Sequence, residues 1–265
     1  MPTRGWVTGL LAGGVLLLTG AARAADVDAF LAGTSRNCID CDLSGRDLSE
    51  RDFKRARLDR AKLRDANLAG ATLFRAVLVR ADLGGATLKD ANLNLVDAKW
   101  ADLSGADLTD ALLFEADLAS ANLAGANLSG GRLGRARLNQ ANLEGATLMR
   151  ADLRGARLAG ARLKGADMRG VRLDSQNLRG MDLRGIDFRM GDMVEADLTG
   201  ADLRDANLAG VDLFGAKLNA ADLRGANFEG ANLANAILTD AQLEGARFEA
   251  AIMPDGRRDR ANPSQ

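Results

Sequence analysis

The chain has 265 residues, 35 basic against 36 acidic, with no His, no Tyr and only 4% aromatics. Absence of His removes the commonest general acid/base and the commonest metal ligand together. The near-neutral balance offers no bulk attraction to nucleic acid or membrane, and the 47% apolar content is carried by Leu and Ala.

Residues 1–24 read as an export signal. Arg4 supplies a positive start, Trp6 to Thr19 an apolar run, and Ala22-Arg23-Ala24 a small-residue cleavage site with the mature chain beginning at Ala25. The run is too short for a membrane span, which needs roughly twenty residues. No Cys follows it to take a lipid. The expectation is a periplasmic or secreted protein with no membrane span after cleavage. Loss of Arg4 and Arg23 leaves 33 basic against 36 acidic residues, a net −3.

Residues 25–40 form a candidate N-terminal cap. Asp28 to Ala32 can make a short helix ended by Gly33, with Phe30 and Leu31 free to cover the first repeat. Cys38 and Cys41 follow as C-x-x-C. A structural disulfide or two buried thiols is one reading, and a redox pair the other. Redox chemistry expects a βαβ context and haem attachment a following His, but Asp42 follows. Zinc needs four ligands, which the chain lacks. The structural reading, with a candidate Cys38–Cys41 disulfide, fits an oxidising compartment.

From residue 41 to 253 one unit of five repeats without losing register. Positions 43, 48 and every fifth residue to 253 are Leu, Phe or Met except Ala98, and 32 of the 43 residues two places earlier are Ala. A helix advances about 100° per residue and would spread these leucines around its circumference. A strand would send alternate ones to opposite faces. The chain must turn a corner once per unit so that every leucine faces a common axis. Four units make a coil of twenty residues, and glycines such as Gly70, Gly105, Gly125 and Gly145 suit its corners. About ten coils at roughly 4.8 Å each make a solenoid on the order of 50 Å long.

The motif A(D/N)LxG, as in Ala66-Asn67-Leu68-Ala69-Gly70, resembles that of the pentapeptide-repeat family. The resemblance implies an all-β solenoid, a right-handed quadrilateral β-helix of about ten coils, here with a short N-terminal helical cap. It implies little about function. Some cytoplasmic members imitate DNA and protect topoisomerase, which needs a long acidic face and a cytoplasmic address.

Two stretches break the pattern. Around Asn94 to Trp100, Ala98 sits at a leucine position beside Val96 at a small one, a volume swap expected to keep the core full. Nearby outward positions carry Phe74, Val77, Val79, Leu95, Trp100, Leu112 and Phe114. Residues twenty apart stack, so Phe74, Asn94 and Phe114 line up with Leu95 and Leu112 on one face. Val77, Val79 and Trp100 lie on the adjoining face. Isolated surface apolars are ordinary, but a contiguous patch is a candidate contact for a partner or a second copy. The second stretch puts Val171, Gln176, Met181, Ile186 and Gly191 at five successive small positions, implying wider corners or another turn type.

Outward charge changes sign along the chain. Residues 132–189 hold 13 basic and 6 acidic groups, 190–253 hold 4 and 11, and 42–131 are nearly balanced at 12 and 14. Pairing between stacked coils, such as Asp152 with Arg132 and Arg172, is the plain account; an electrostatic dipole orienting a partner is the other. Pro254-Asp255-Gly256 ends the repeats, and residues 254–265 read as a polar, disordered tail. No nucleophile–base pair, metal cluster or phosphate loop is legible. The expectation is a non-enzymatic exported scaffold with no catalytic, cofactor or metal residues, whose partner is an unknown protein or itself and not nucleic acid.

Overall fold

The computed structural model describes residues 20–259, with side chains from Asp26 onward. Most of the proposed signal segment, residues 1–19, and the end of the tail, 260–265, lie outside the described residues. Among the described residues one helix, α1 (Gly20–Leu31), precedes a long run of single parallel bridges. Each bridge joins an outward residue to the one twenty further on, from Asn37↔Arg57 to Asn232↔Ile252. The chain therefore returns above itself every twenty residues, as a solenoid of the β-helix type.

Why five residues suffice for one side follows from where the five N–H groups go. In the unit beginning at Ala66, the N–H of Ala66 donates back to the Leu63 carbonyl and closes the turn (3.1 Å). The Asn67 N–H donates to the coil before it, at Arg46 (2.9 Å), while Leu68 and Gly70 donate to the coil after it, at Thr87 and Lys89 (2.7 and 2.8 Å). The Ala69 N–H remains, and the Asn67 side-chain oxygen accepts it at 3.1 Å. Asp42, Asp102, Asn127 and Asp222 do the same for the residue two places on. The recurrent Asp or Asn is therefore a local cap for an otherwise unused donor.

Corners fall at every multiple of five from 40 to 250, and all of them have positive φ, near +53° to +73°. Glycine is not required there: Leu95 (φ 60°), Trp100 (φ 56°) and Met190 (φ 60°) adopt the same left-handed conformation. That conformation costs a bulky residue on the order of 1 kcal/mol or more.

Leucine-position side chains and the alanines beside them form one continuous core, most of them fully buried. The Val96/Ala98 exchange does not quite fill it. A void of about 10 Å³ remains along the axis, lined by Leu78, Leu93, Val96, Ala98 and Leu103 among others. That is at the lower limit of the roughly 10–15 Å³ one water needs, and an apolar lining offers water no partner. Ala98→Leu adds three carbons, far more than this void can take beside Val96, and is expected to destabilise the fold by about 1–3 kcal/mol, read as a lower urea midpoint. A rise in the midpoint would mean that Val96 leaves room for a leucine.

At the N-terminal end, α1 begins earlier than the short helix expected at Asp28, and it runs across the proposed cleavage site. Val27 and Phe30 are buried, and Phe30 stacks on Phe53 with ring centres 5.1 Å apart. Gly33 (φ 75°) ends the helix. Arg51, which stands where most units have alanine, donates to the Leu31 carbonyl at 2.9 Å. Cys38 and Cys41 are both buried and joined as a disulfide, with Cα atoms 5.2 Å apart. At the other end the first residues of the tail are ordered by pairing: Ile252 bridges Arg258 in antiparallel fashion, and the Asp259 N–H donates to the Ala251 carbonyl at 2.7 Å.

The second disturbed stretch keeps its corners. Ser175, Gly180, Gly185 and Met190 all have φ between 54° and 64°, so neither a wider corner nor a new turn type is present. The change is between coils. Ladder bonds hold at Leu153→Arg172 (3.0 Å) and again at Met168→Asp187 (2.9 Å). Between them, among the described residues, the N–H groups of Gly155, Leu158, Gly160, Leu163 and Gly165 have no carbonyl partner in the next coil, and bridges 157↔177 and 162↔182 are missing. Gln176 accounts for one of the lost bonds: it is buried at an alanine position, and its side-chain amide donates to the Ala156 carbonyl, the acceptor that Asn177 would otherwise use.

Candidate functional site

The seven apolar residues singled out by sequence lie across two adjoining sides of successive coils, as the twenty-residue stacking requires. Only two of them are well exposed, Trp100 (53%) and Phe114 (44%). Phe74, Val77, Val79, Leu95 and Leu112 are half-buried. Leu112 occupies an Asp/Asn position and leaves the Phe114 N–H without its usual cap. Asn94, one coil earlier, accepts that N–H at 2.8 Å. The polar residue that interrupts the Phe74–Phe114 column is thus part of what holds Phe114 in place.

Arginines cover each of the three aromatic rings. The guanidinium carbons of Arg75, Arg80 and Arg135 lie 5.3, 5.6 and 5.7 Å from the ring centres of Phe74, Trp100 and Phe114. These are cation–π distances. They change the character expected of the patch, from a bare apolar surface to a ridge of alternating rings and cations. Arg135 also approaches Glu115 at 3.4 Å. Sequence reasoning missed these arginines because they sit one, twenty or twenty-one residues away in outward positions otherwise read as solubilising.

Other exposed apolar residues lie outside the patch. Met190 is 75% exposed, and Phe214, Ile237 and Leu243 are also exposed. Met190 carried a signal that could have been used: a long apolar side chain at a corner position, as at Leu95 and Trp100.

Charge pairing is more local than the column arrangement predicts. In Asp152-Leu153-Arg154 the two outer side chains leave the same face of one unit, and Arg154 binds Asp152 through two nitrogens at 2.9 and 2.6 Å. Arg172, one coil on, is 3.7 Å away, and no ion pair joins Asp152 to Arg132 among the described residues. The same arrangement recurs at 167/169, 182/184, 187/189, 202/204 and 222/224. In each, hydrogen bonding from the arginine holds the aspartate below the usual carboxylate range. Asp174 is the opposite case. Burial, a hydrogen bond with Asp192 and repulsion from it push Asp174 up to about 6.

Among the described residues no group of three His, Cys, Asp or Glu side chains is placed to hold a metal ion, and no helix is long and apolar enough to cross a membrane.

Comparison with known proteins places this architecture. No curated protein matches the chain. Among solved structures, HetL of the cyanobacterium Nostoc sp. strain PCC 7120, a pentapeptide repeat protein involved in heterocyst differentiation regulation, is 33% identical over 89% of this chain and 98% of its own, with a TM-score of 0.45. Full-length QnrB1, a plasmid-mediated fluoroquinolone resistance protein, is 16% identical over 78% of this chain and 92% of its own, with a TM-score of 0.33. A pentapeptide repeat protein of the Arabidopsis thaliana thylakoid lumen is 28% identical over 56% of this chain and 72% of its own, with a TM-score of 0.18. The family model described as pentapeptide repeats (8 copies) matches in overlapping segments from residues 37–73 to residues 216–253. With nearly every unit from the disulfide to the final turn inside those matches, the chain belongs to the pentapeptide repeat family.

Proposed function

We propose that this protein is an exported, non-catalytic scaffold that presents the Trp100–Phe114 ridge to a protein partner. In this reading it is a right-handed quadrilateral β-helix of about ten coils, with α1 as its N-terminal cap and the mature chain starting at Ala25 in the periplasm or outside the cell. The supporting observation is the set of three arginine–aromatic pairs on adjoining sides of neighbouring coils. Arg and large aromatic residues are the types that dominate binding energy at protein interfaces, and stacked guanidinium groups are already ordered before a partner arrives. The topoisomerase-protecting alternative requires a continuous acidic face, and the excess of 13 basic over 6 acidic groups in 132–189 stands against it.

The test is a double variant, Trp100→Ser with Phe114→Ser. It is expected to keep the far-ultraviolet circular dichroism of the parent and to lose at least about tenfold in affinity for whatever protein crosslinks to the parent in its own compartment. An unchanged crosslinking pattern, with unchanged mass in light scattering, would remove the ridge from consideration. Sequencing the N-terminus of the mature protein separates the address from the surface. A chain starting at Ala25 outside the cytoplasm supports export, and an intact Met1 in the cytosol overturns it.

A further inference from the structure

We infer that the gap between the coils at 155–165 and 174–184 is an acceptor for an extended acidic segment of another protein. A solenoid satisfies its backbone by coil-on-coil pairing, so a stretch in which two coils face each other without pairing leaves donors and acceptors on both lips. On one lip are the N–H groups of Gly155, Leu158, Gly160, Leu163 and Gly165; on the other are those of Asn177 and Asp182, none with a backbone partner across the gap. An extended peptide carries N–H and C=O groups on both edges and is the ligand class that can pair with two open edges at once.

The space is present. A cleft of about 810 Å³ opens here, lined by Ala156, Leu158, Ala161, Met181 and the buried Gln176. That lies within the roughly 300–1,000 Å³ of ordinary ligand clefts. The cause is in the sequence: Gln176 and Met181 stand at inward positions that hold alanine in most units. Gln176 takes the Ala156 carbonyl for its own amide. Either feature alone would be a packing defect. Together they keep two lips apart while leaving the corners and the neighbouring coils regular.

Charge selects the occupant. Arg179 and Arg184 on the upper lip are engaged by Asp197 at 3.1 Å and Asp182 at 2.6 Å. Arg157 and Lys164 on the lower lip have no ion partner among the described residues, and the surrounding segment 132–189 is the basic part of the chain. An alternating acidic and apolar strand would place carboxylates toward Arg157 and Lys164 and apolar side chains toward Leu158 and Met181.

The experiment uses the full chain and a fluorescent nonapeptide of alternating Glu and Val, a copy N-methylated at alternate residues, and a Lys/Val peptide. The Glu/Val peptide is expected to bind and to slow hydrogen exchange at Leu158, Gly160 and Leu163, with about tenfold weaker binding by the N-methylated copy. Gln176→Ala with Met181→Ala restores the alanine pattern of the other coils and is expected to close the gap and weaken binding by about tenfold. Arg157→Glu with Lys164→Glu leaves the core untouched and is expected to do the same, so the inference stays testable if the core variant misfolds. No binding of the Glu/Val peptide up to about 1 mM, equal binding of the Lys/Val peptide, or protection confined to other coils overturns it. Trp100 and Phe114 are unchanged throughout, so failure here is distinct from failure of the ridge.

Discussion

Leu143→Ala is expected to destabilise the solenoid by about 3 kcal/mol, within the 2–5 kcal/mol typical of a buried leucine truncated to alanine. Leu143 is fully buried, and its backbone already pairs with Arg162 at 2.8 Å in the next coil, so the substitution removes side-chain volume and leaves the ladder intact. Ala98 marks the lower bound. There a leucine is absent but Val96 fills part of the space, and only a small void remains. Next to Leu143 the small position is Ala141, which cannot compensate. Stacked coils are stabilised mainly by their immediate neighbours, so the loss should be local. Hydrogen exchange is expected to accelerate in the coils holding Leu123, Leu143 and Leu163, with little change near Leu213. A cost below about 1 kcal/mol, or uniform acceleration along the chain, would show that the leucine columns are not what holds neighbouring coils together.

How much of this was legible follows from the geometry of a period of five. Neither a helix nor a strand can keep residues spaced by five on one side, so the corner, the inward Leu and the small Ala beside it could all be read from the pattern. Positions such as Leu68 and Ala71 behave accordingly. The disulfide at Cys38 and Cys41 could be placed at the first coil for the same reason, since both fall on inward positions.

Other features needed coordinates because they depend on where a flexible side chain ends. The Asp or Asn of the motif looks like a solvating residue in sequence, yet its oxygen closes the one N–H the ladder leaves over. Arg154 reaches Asp152 in its own unit before any residue of the next coil, because residues two apart on an extended segment share a face. Arg80 lies over Trp100, which no pattern of apolar residues could reveal. The run of enlarged small positions from Val171 to Gly191 was visible, but its effect was not. Val171 fits without breaking the ladder, with Asp192 donating to its carbonyl at 2.9 Å, whereas Gln176 competes for a carbonyl and parts the coils. Volume alone does not distinguish them; the amide does.

Asp174 gives the fold an unusual pH dependence. It faces Asp192, with which it shares a hydrogen bond, and it lies 3.8 Å from Arg154; Arg172 and Asp152 complete the cluster. Arg154 is already committed to Asp152 at 2.6 Å. Two arginines therefore serve three carboxylates, and Asp174 stays protonated up to about pH 6 against an ordinary value of 3.8. A carboxyl group whose folded pKa is raised contributes stability in its protonated form. That contribution is complete below the unfolded value and disappears as pH rises through about 6. Asp152, Asp167 and Asp187 act in the opposite sense: their folded values are lowered by arginine, so they stabilise above the unfolded value and lose that effect as pH falls. The two trends together place maximum stability in mildly acidic solution. Asp174→Asn keeps a hydrogen-bonding side chain and removes the titration. It is expected to raise stability by about 1–2 kcal/mol at pH 8, after allowing for solvent screening of groups at the surface, and to converge with the parent near pH 4, read from urea unfolding across the range. A difference that does not vary with pH would mean that the variant acts through packing and that Asp174 and Asp192 do not share a proton.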